Sequence, residues 1–354
     1  QIQSPFTDIL FTKAPGEGTP STVIYSSMGD CTPPTCPKPT PLAVDVTTIT
    51  STSAQLAWTE NALPPPGATQ WEVYVVPAEG AIPPVNGSPV TGVAPYYLTN
   101  SNPFTVEGLQ PATTYVFYVR SICSSTDVST WTILAPRTFT TKPLNDDCAG
   151  AITVPVNPTR ICAQSLNGST LGATRTLPNT QPVCQGNTDD DVWFTFTATN
   201  PVHIITFSNI NGPSNDINHA LYSGSDCTAL TQLYCSAPEV SVATNLVPNQ
   251  VYKIRVWTVG GNAAQFANFT VCITTPDPVT NDECAVATPV TPNNGLECDI
   301  VVSSAITGAT PSSNASTCPG TEDDDVWFSF VANSTTQIIT LSNIVGTSDN
   351  LNHA

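Results

Sequence analysis

Two stretches of the chain set acids side by side: TDDDVWFTF at 188–196 and EDDDVWFSF at 322–330. Adjacent carboxylates repel unless a positive group lies between them or water takes them all. Calcium chelation is one chemistry open to such a cluster, because the ion collects about six to eight oxygens from carboxylates, amides and carbonyls. Glycoside hydrolysis is another, but it needs one acid of raised pKa in a cleft, and three solvated neighbours make a poor acid. A solvated turn with Asx caps asks for no ligand at all. Within DDDVWFTFTA, strand alternation puts Val192, Phe194, Phe196 and Ala198 on one face and Trp193, Thr195 and Thr197 on the other. The Val192 face reads as the buried one. Asp189 and Asp191 then project together at the strand's start, with Asp190 opposite.

Other chemistries find little support. The chain has 3 histidines and 12 cysteines. It contains no Gly-x-Ser-x-Gly, His-Glu-x-x-His, phosphate loop or Cys-x-x-Cys. No histidine lies near a cysteine in sequence, so an activated thiol is not expected. His203, His219 and His353 fall in alternating, strand-like segments and read as structural. The net charge of −18 disfavours nucleic acid, whose phosphates need a basic face. No run of 18 apolar residues is present, so no membrane span is expected.

The elements that must position these acids are strands. The 354 residues include 34 Pro, 20 Gly and a single Met, and no window sustains a helical apolar period. An all-β chain of tandem β-sandwiches is expected. An internal repeat organises its second part. NDDCAGAITV at 145–154 returns as NDECAVATPV at 281–290; DDDVWF recurs; IITFSNI returns as IITLSNI, and INHA as LNHA. The first copy runs on through NQVYKIRVWTVGG to FTVCITT, while the second reaches only Ala354. Residues 143–275 are therefore one Cys-rich sandwich repeat, and 276–354 an incomplete second one. Residues 1–35 read as a leader or the tail of a preceding module.

Disulfides in an oxidising compartment are the economical use of the cysteines. Bonds inside both copies suggest Cys162–Cys184 and Cys298–Cys318. Cys227–Cys235 closes a local loop, and Cys148–Cys272 ties the first strand to the last. Cys36 can reach Cys123; Cys31 is left over, for a missing upstream module or for Cys36, and the partner of Cys284 is expected beyond residue 354.

Residues 36–142 carry LQPATTY, which puts Tyr115 at a strand start where its hydroxyl can bond back upstream. With Trp58 on an inner sheet, this unit resembles a fibronectin type III domain. The repeats resemble bacterial pre-peptidase C-terminal domains in their linker Asn-Asp, their GAT before an acidic loop, DDDVWFTF and NQVYKIRV. That resemblance implies a jelly-roll sandwich. It also implies calcium held by Asn145, Asp146, Asp189 and Asp191, and by Asn281, Asp282, Asp323 and Asp325. AWTE, YVRSICSSTDVSTW and the two repeats together resemble adhesins exported by the type IX secretion system of gliding bacteria. This implies a non-catalytic, extracellular stalk at the cell surface. Its partners would be other modules of the same long chain or neighbouring subunits, with a surface polysaccharide or protein as ligand. The alternative is a carbohydrate- or protein-binding accessory region of a secreted hydrolase. Trp131 and Trp257 are candidate sugar platforms if exposed.

Overall fold

The computed structural model describes residues 2–4, 7–9, 35–61, 68–86, 94–176, 186–237, 239–260, 265–277, 279–312, 324–346, 351 and 353. Cys31, Cys184, Cys318 and Asp323 lie outside them. Among the described residues regular structure is all β, apart from three short 3-10 turns. No helix is long and apolar enough to cross a membrane.

The first sandwich has seven strands: β1 (Leu42–Asp45), β2 (Ser53–Trp58), β3 (Gln70–Pro77), β4 (Tyr96–Thr99), β5 (Phe104–Glu107), β6 (Thr114–Ile122) and β7 (Arg137–Thr140). They form sheets β1-β2-β5 and β4-β3-β6-β7. Strict alternation in β2 turns Ala54, Leu56 and Trp58 inward, onto Val73, Val75, Phe117 and Val119. The expected tyrosine corner is present: the Gln110 amide donates to the Tyr115 hydroxyl at 2.8 Å. Cys36 and Cys123 are bonded as expected. On the outer face, a buried Arg120–Glu72 pair at 2.6 Å lies beneath Trp131.

The second sandwich comprises β8 (Ile152–Thr153), β9 (Val156–Asn157), β10 (Leu166–Ser169), β11 (Val192–Thr197), β12 (His203–Asn211), β13 (Ile217–Ser223), β14 (Thr231–Ser236), β15 (Val240–Ala243), β16 (Val251–Thr258) and β17 (Asn268–Thr274). One sheet runs β8-β11-β16-β13-β14; the other runs β9-β17-β12-β15, with β10 on β17. The Val192 face packs inward as read, Phe194 and Phe196 meeting Ile205, Phe207, Ile254 and Phe269. Gly168 of β10 has no alternative, because a Cβ there would lie 2.5 Å from the Phe269 ring.

Alternation misjudged the opposite face. Trp193, Ala220, Tyr222 and Trp257 are buried there under Cys148 and Cys227, which form a small second core. Trp131 and Trp257 are both fully buried, so neither offers a sugar platform.

Three expected disulfides inside the first repeat are corrected. Cys148 bonds Cys227, and Cys162 bonds Cys272, so Cys148–Cys272, Cys162–Cys184 and Cys227–Cys235 do not form. The physical reason is position. Cys148 lies in a 3-10 turn over the outer sheet face, not in an edge strand. Its reach is to the β13–β14 loop that holds Cys227. The loop carrying Cys162 leads into β10, which pairs antiparallel with β17 and so brings Cys272 close. Cys235 is disulfide-bonded as well.

In the second repeat, β18 (Thr288–Pro289) pairs parallel with β19 (Phe328–Ser329), as β8 pairs with β11. Cys284 and Cys298 carry free thiols there, so the expected Cys298–Cys318 bond is absent. They are the counterparts of Cys148 and Cys162. The cysteines those two bond in the first repeat have no described counterpart in the second.

Candidate functional site

The acids belong to a polar clasp that joins each repeat to the linker before it. Asn145 supplies its backbone first. Its carbonyl accepts from the Trp193 amide at 2.8 Å, and its side-chain amide donates to the Trp193 carbonyl at 2.9 Å. Linker and strand β11 therefore meet through a two-way bond around one residue. Asp146 next accepts from the Thr174 amide and hydroxyl and, at 2.8 Å, from Lys142 Nζ. Thr174 ends the LGAT motif, in which Gly172 has φ +74° and lies so close to the linker that a Cβ would be 2.4 Å from the Thr141 carbonyl.

Asp191 is the centre of the clasp. Its carboxylate takes Arg255 Nε and a terminal guanidinium nitrogen, each at 3.0 Å, along with Trp193 Nε1 at 2.9 Å and the amide and hydroxyl of Thr176. Both members of the ion pair are fully buried, and Arg255 also lies over the Trp193 ring. β11 and β16 place them, since Trp193 and Arg255 are cross-strand partners. Burial and a bidentate fork make this pairing strong in geometry and costly to break.

Asp190 points the other way, to the Thr258 amide at 3.0 Å and the Thr258 hydroxyl at 2.7 Å. Burial pushes its carboxyl up to about 6, with hydrogen bonds from Thr258 and Thr170 offsetting only part of that. The folded state thus holds this proton more tightly than the unfolded chain, whose aspartates titrate near 3.9. The contribution of Asp190 is most favourable below about pH 4 and is lost as pH rises towards 6. D190N keeps both Thr258 contacts and removes the charge. It should flatten melting temperature against pH between 4 and 6 and stabilise the fold at pH 7 by roughly 2 kcal/mol. Chemical denaturation of both proteins across that range checks this.

The second repeat rebuilds the same clasp. Asn281 exchanges the same two bonds with Trp327, Asp282 accepts from the Thr310 amide and hydroxyl, and Asp325 accepts from the Ser312 amide at 2.8 Å. Trp327 Nε1 donates to Ser312, as Trp193 Nε1 does to Thr176. Of the eight residues implied as calcium ligands, Asn145, Asp146 and Asp191 thus come together, as do Asn281, Asp282 and Asp325. Asp189 is half-buried at the start of the strand, beside Asp190.

The surroundings in the first repeat do not fit a calcium ion. The ion wants six to eight free oxygens, whereas Asp191 faces a guanidinium and Asp146 an ammonium. The described residues hold no group of three or more acids, histidines or cysteines arranged to ligate a metal. Sequence reading missed Lys142, Thr174, Thr176 and Arg255. Thr174 closes the repeated GAT and Thr176 lies two residues beyond it, so both could have been found from it; Arg255 is 64 residues away from Asp191 and gave no local signal.

The histidines have structural environments. His219 Nε2 meets the Ser241 hydroxyl at 2.7 Å, and burial pushes its pKa down to about 4. His203 Nε2 accepts from the Thr199 and Asn200 amides.

Comparison with known proteins matches the fibronectin type III family model to residues 37–133. No curated protein matches the chain. Solved structures similar to it include the FN5 domain of Drosophila Lar, 15% identical, covering 30% of this chain and 97% of that one at a TM-score of 0.22. An FN3 domain of human collagen XX is 20% identical, covering 30% and 94% at the same TM-score of 0.22. Residues 144–271 and 280–351, more than half of the chain, match the type IX secretion-associated model described as galactose binding domain-like. The chain belongs to this type IX secretion-associated, galactose binding domain-like family, with a fibronectin type III domain ahead of the two repeats.

Proposed function

We propose that this chain is a non-catalytic extracellular spacer, a length of stalk in a surface-exposed adhesin exported by type IX secretion. The observation that supports this most is the recurrence of the clasp. Each repeat carries its own device for gripping the linker that precedes it, the Asn–Trp exchange and the Asp–Thr and Asp–hydroxyl-residue contacts recurring at equivalent positions. A repeat built that way sets its angle to its neighbour and can be strung in series. Disulfide bracing of the first two modules suits an oxidising, extracellular setting. The domain types found favour attachment over catalysis, and within the clasp Asp191 is paired with Arg255 rather than open to a substrate.

The experiment is inter-module alignment by NMR. Residual dipolar couplings measured on the whole chain should fit one alignment tensor across the fibronectin unit and the first repeat. K142A, which removes the Nζ bonds to Asp146 and Thr174, should let the two tensors diverge. Independent tensors in the unaltered protein would refute the spacer reading.

Calcium at Asn145, Asp146, Asp189 and Asp191, implied by the pre-peptidase resemblance, is the competing reading of the same residues. To bind, the ion would have to take Asp191 from Arg255 and Asp146 from Lys142.

A further inference from the structure

A groove of about 580 Å3 lies where the fibronectin unit meets the first repeat. Its polar side is built from Asn167, Ser169, Asn209, Asn211, Asn268 and Thr270. These residues come from three adjacent strands: β10 pairs with β17, and β17 with β12. They hold one another in a ladder. Ser169 donates to Asn268 at 2.8 Å, Asn268 to Asn211 at 3.3 Å, Asn209 to Thr270 at 3.3 Å and Thr270 to Asn167 at 3.2 Å. The Asn211 amide donates to the Asn209 carbonyl at 2.7 Å, fixing the bulge at the end of β12. Asn209 has φ +52°, a left-handed conformation that asparagine tolerates better than most residues.

The rest of the lining is largely apolar. Pro111 and Ala112 come from the fibronectin unit, and Pro143 and Leu144 from the linker. The linker is fixed to the first module by hydrogen bonds from the Ala112 amide to the Lys142 carbonyl and from the Lys142 amide to the Thr50 carbonyl, each at 3.1 Å. Leu144 is 60% exposed, although it sits in a clasped linker. Among the described residues, no Asp, Glu, Lys or Arg lines the groove.

We infer that this groove binds a neutral oligosaccharide. A carboxamide offers two N–H donors and an acceptor oxygen. The ladder spends one amide donor each on Asn209, Asn211 and Asn268 and only the acceptor oxygen of Asn167, leaving further donors on exposed Asn167, Asn209 and Asn211. Sugar hydroxyls, each a donor and an acceptor, match such a row. The proline and leucine wall suits the C–H face of a pyranose. Charge narrows the class, because an uncharged lining on a chain of net charge −18 gives an anionic glycan nothing to pair with and a repulsive field to cross. The inference rests on the reading of the chain as an extracellular module and adds to it a ligand class and a site that both modules build.

The test is a printed array of neutral and of sialylated or sulfated oligosaccharides probed with the labelled whole chain. Binding to at least one neutral group is expected. It should weaken ten-fold or more in N167A/N211A, and again in the wall variant L144S. T231A, on strand β14 of the other sheet, should bind as the unaltered chain does, and melting temperatures should confirm that every variant folds. No neutral glycan bound, acidic glycans bound alone, or binding unchanged in both N167A/N211A and L144S would each overturn the assignment. Those outcomes leave the dipolar couplings untouched, so failure of the groove is distinguishable from failure of the spacer reading.

Discussion

Replacing Asp191 with alanine is expected to lower the stability of the first repeat by about 3–5 kcal/mol, the range for removing one partner of a buried ion pair. The loss has several sources. Arg255 would keep its charge without the bidentate carboxylate of Asp191 in a buried site, while Trp193 Nε1 and the Thr176 amide would each lose an acceptor. An exposed pair would be worth no more than about 1 kcal/mol, so the size of the effect reports burial. At roughly 2–4 °C per kcal/mol for a unit of this size, the calorimetric transition of the repeat should fall by on the order of 10 °C. The fibronectin transition should stay in place. In the double variant D191L/R255M, removing both charges should recover part of that loss, because the orphaned cation, rather than the missing attraction, dominates the cost. A loss under 1 kcal/mol in D191A would mean the pair is solvated.

Breaking the Cys162–Cys272 bond is the second large effect. It closes a loop with a sequence separation of 110, for which the chain-entropy account gives about 4.7 kcal/mol. C162S/C272S should therefore approach the limit of stability of a single domain, about 5–15 kcal/mol. C36S/C123S, with a separation of 87 in the fibronectin unit, should lower that unit's transition alone. Denaturant unfolding under non-reducing conditions measures both. Equal midpoints for the variant and unaltered repeat would show that the bond constrains little.

How much of this could be read in advance depended on distance along the chain. Short-range signals held. LQPATTY located the Tyr115 corner, the Val192 face was the core face, and the repeat marked which residues share a role. A related corner, with the Val247 amide donating to the Tyr252 hydroxyl at 2.8 Å, lies in LVPNQVY at 246–252, which keeps the Leu-x-Pro spacing to Tyr but has Gln250 where LQPATTY has Thr113, and it went unread. Disulfide pairing failed for a physical reason. Cysteines were assigned to strand ends, whereas Cys148 and Cys227 sit on segments laid over the outer face. Alternation cannot announce that second core, since it tells which residues share a face and not how many faces are covered. The acids were legible as a cluster, but their partners were not, because Arg255 reaches Asp191 across a strand pair rather than along a motif. Acid-rich motifs at strand starts therefore divide into ligand sites and clasps only when the cross-strand residue is known.

The central claim is that the paired acids hold protein, not metal. Differential scanning calorimetry of the whole chain, in millimolar calcium and then in excess chelator, tests it most directly. Identical transitions for the repeats in both conditions are the predicted result, with D191A lowering the first repeat equally in each. A transition that rises several degrees with calcium in the unaltered protein, and not in D191A, would contradict it.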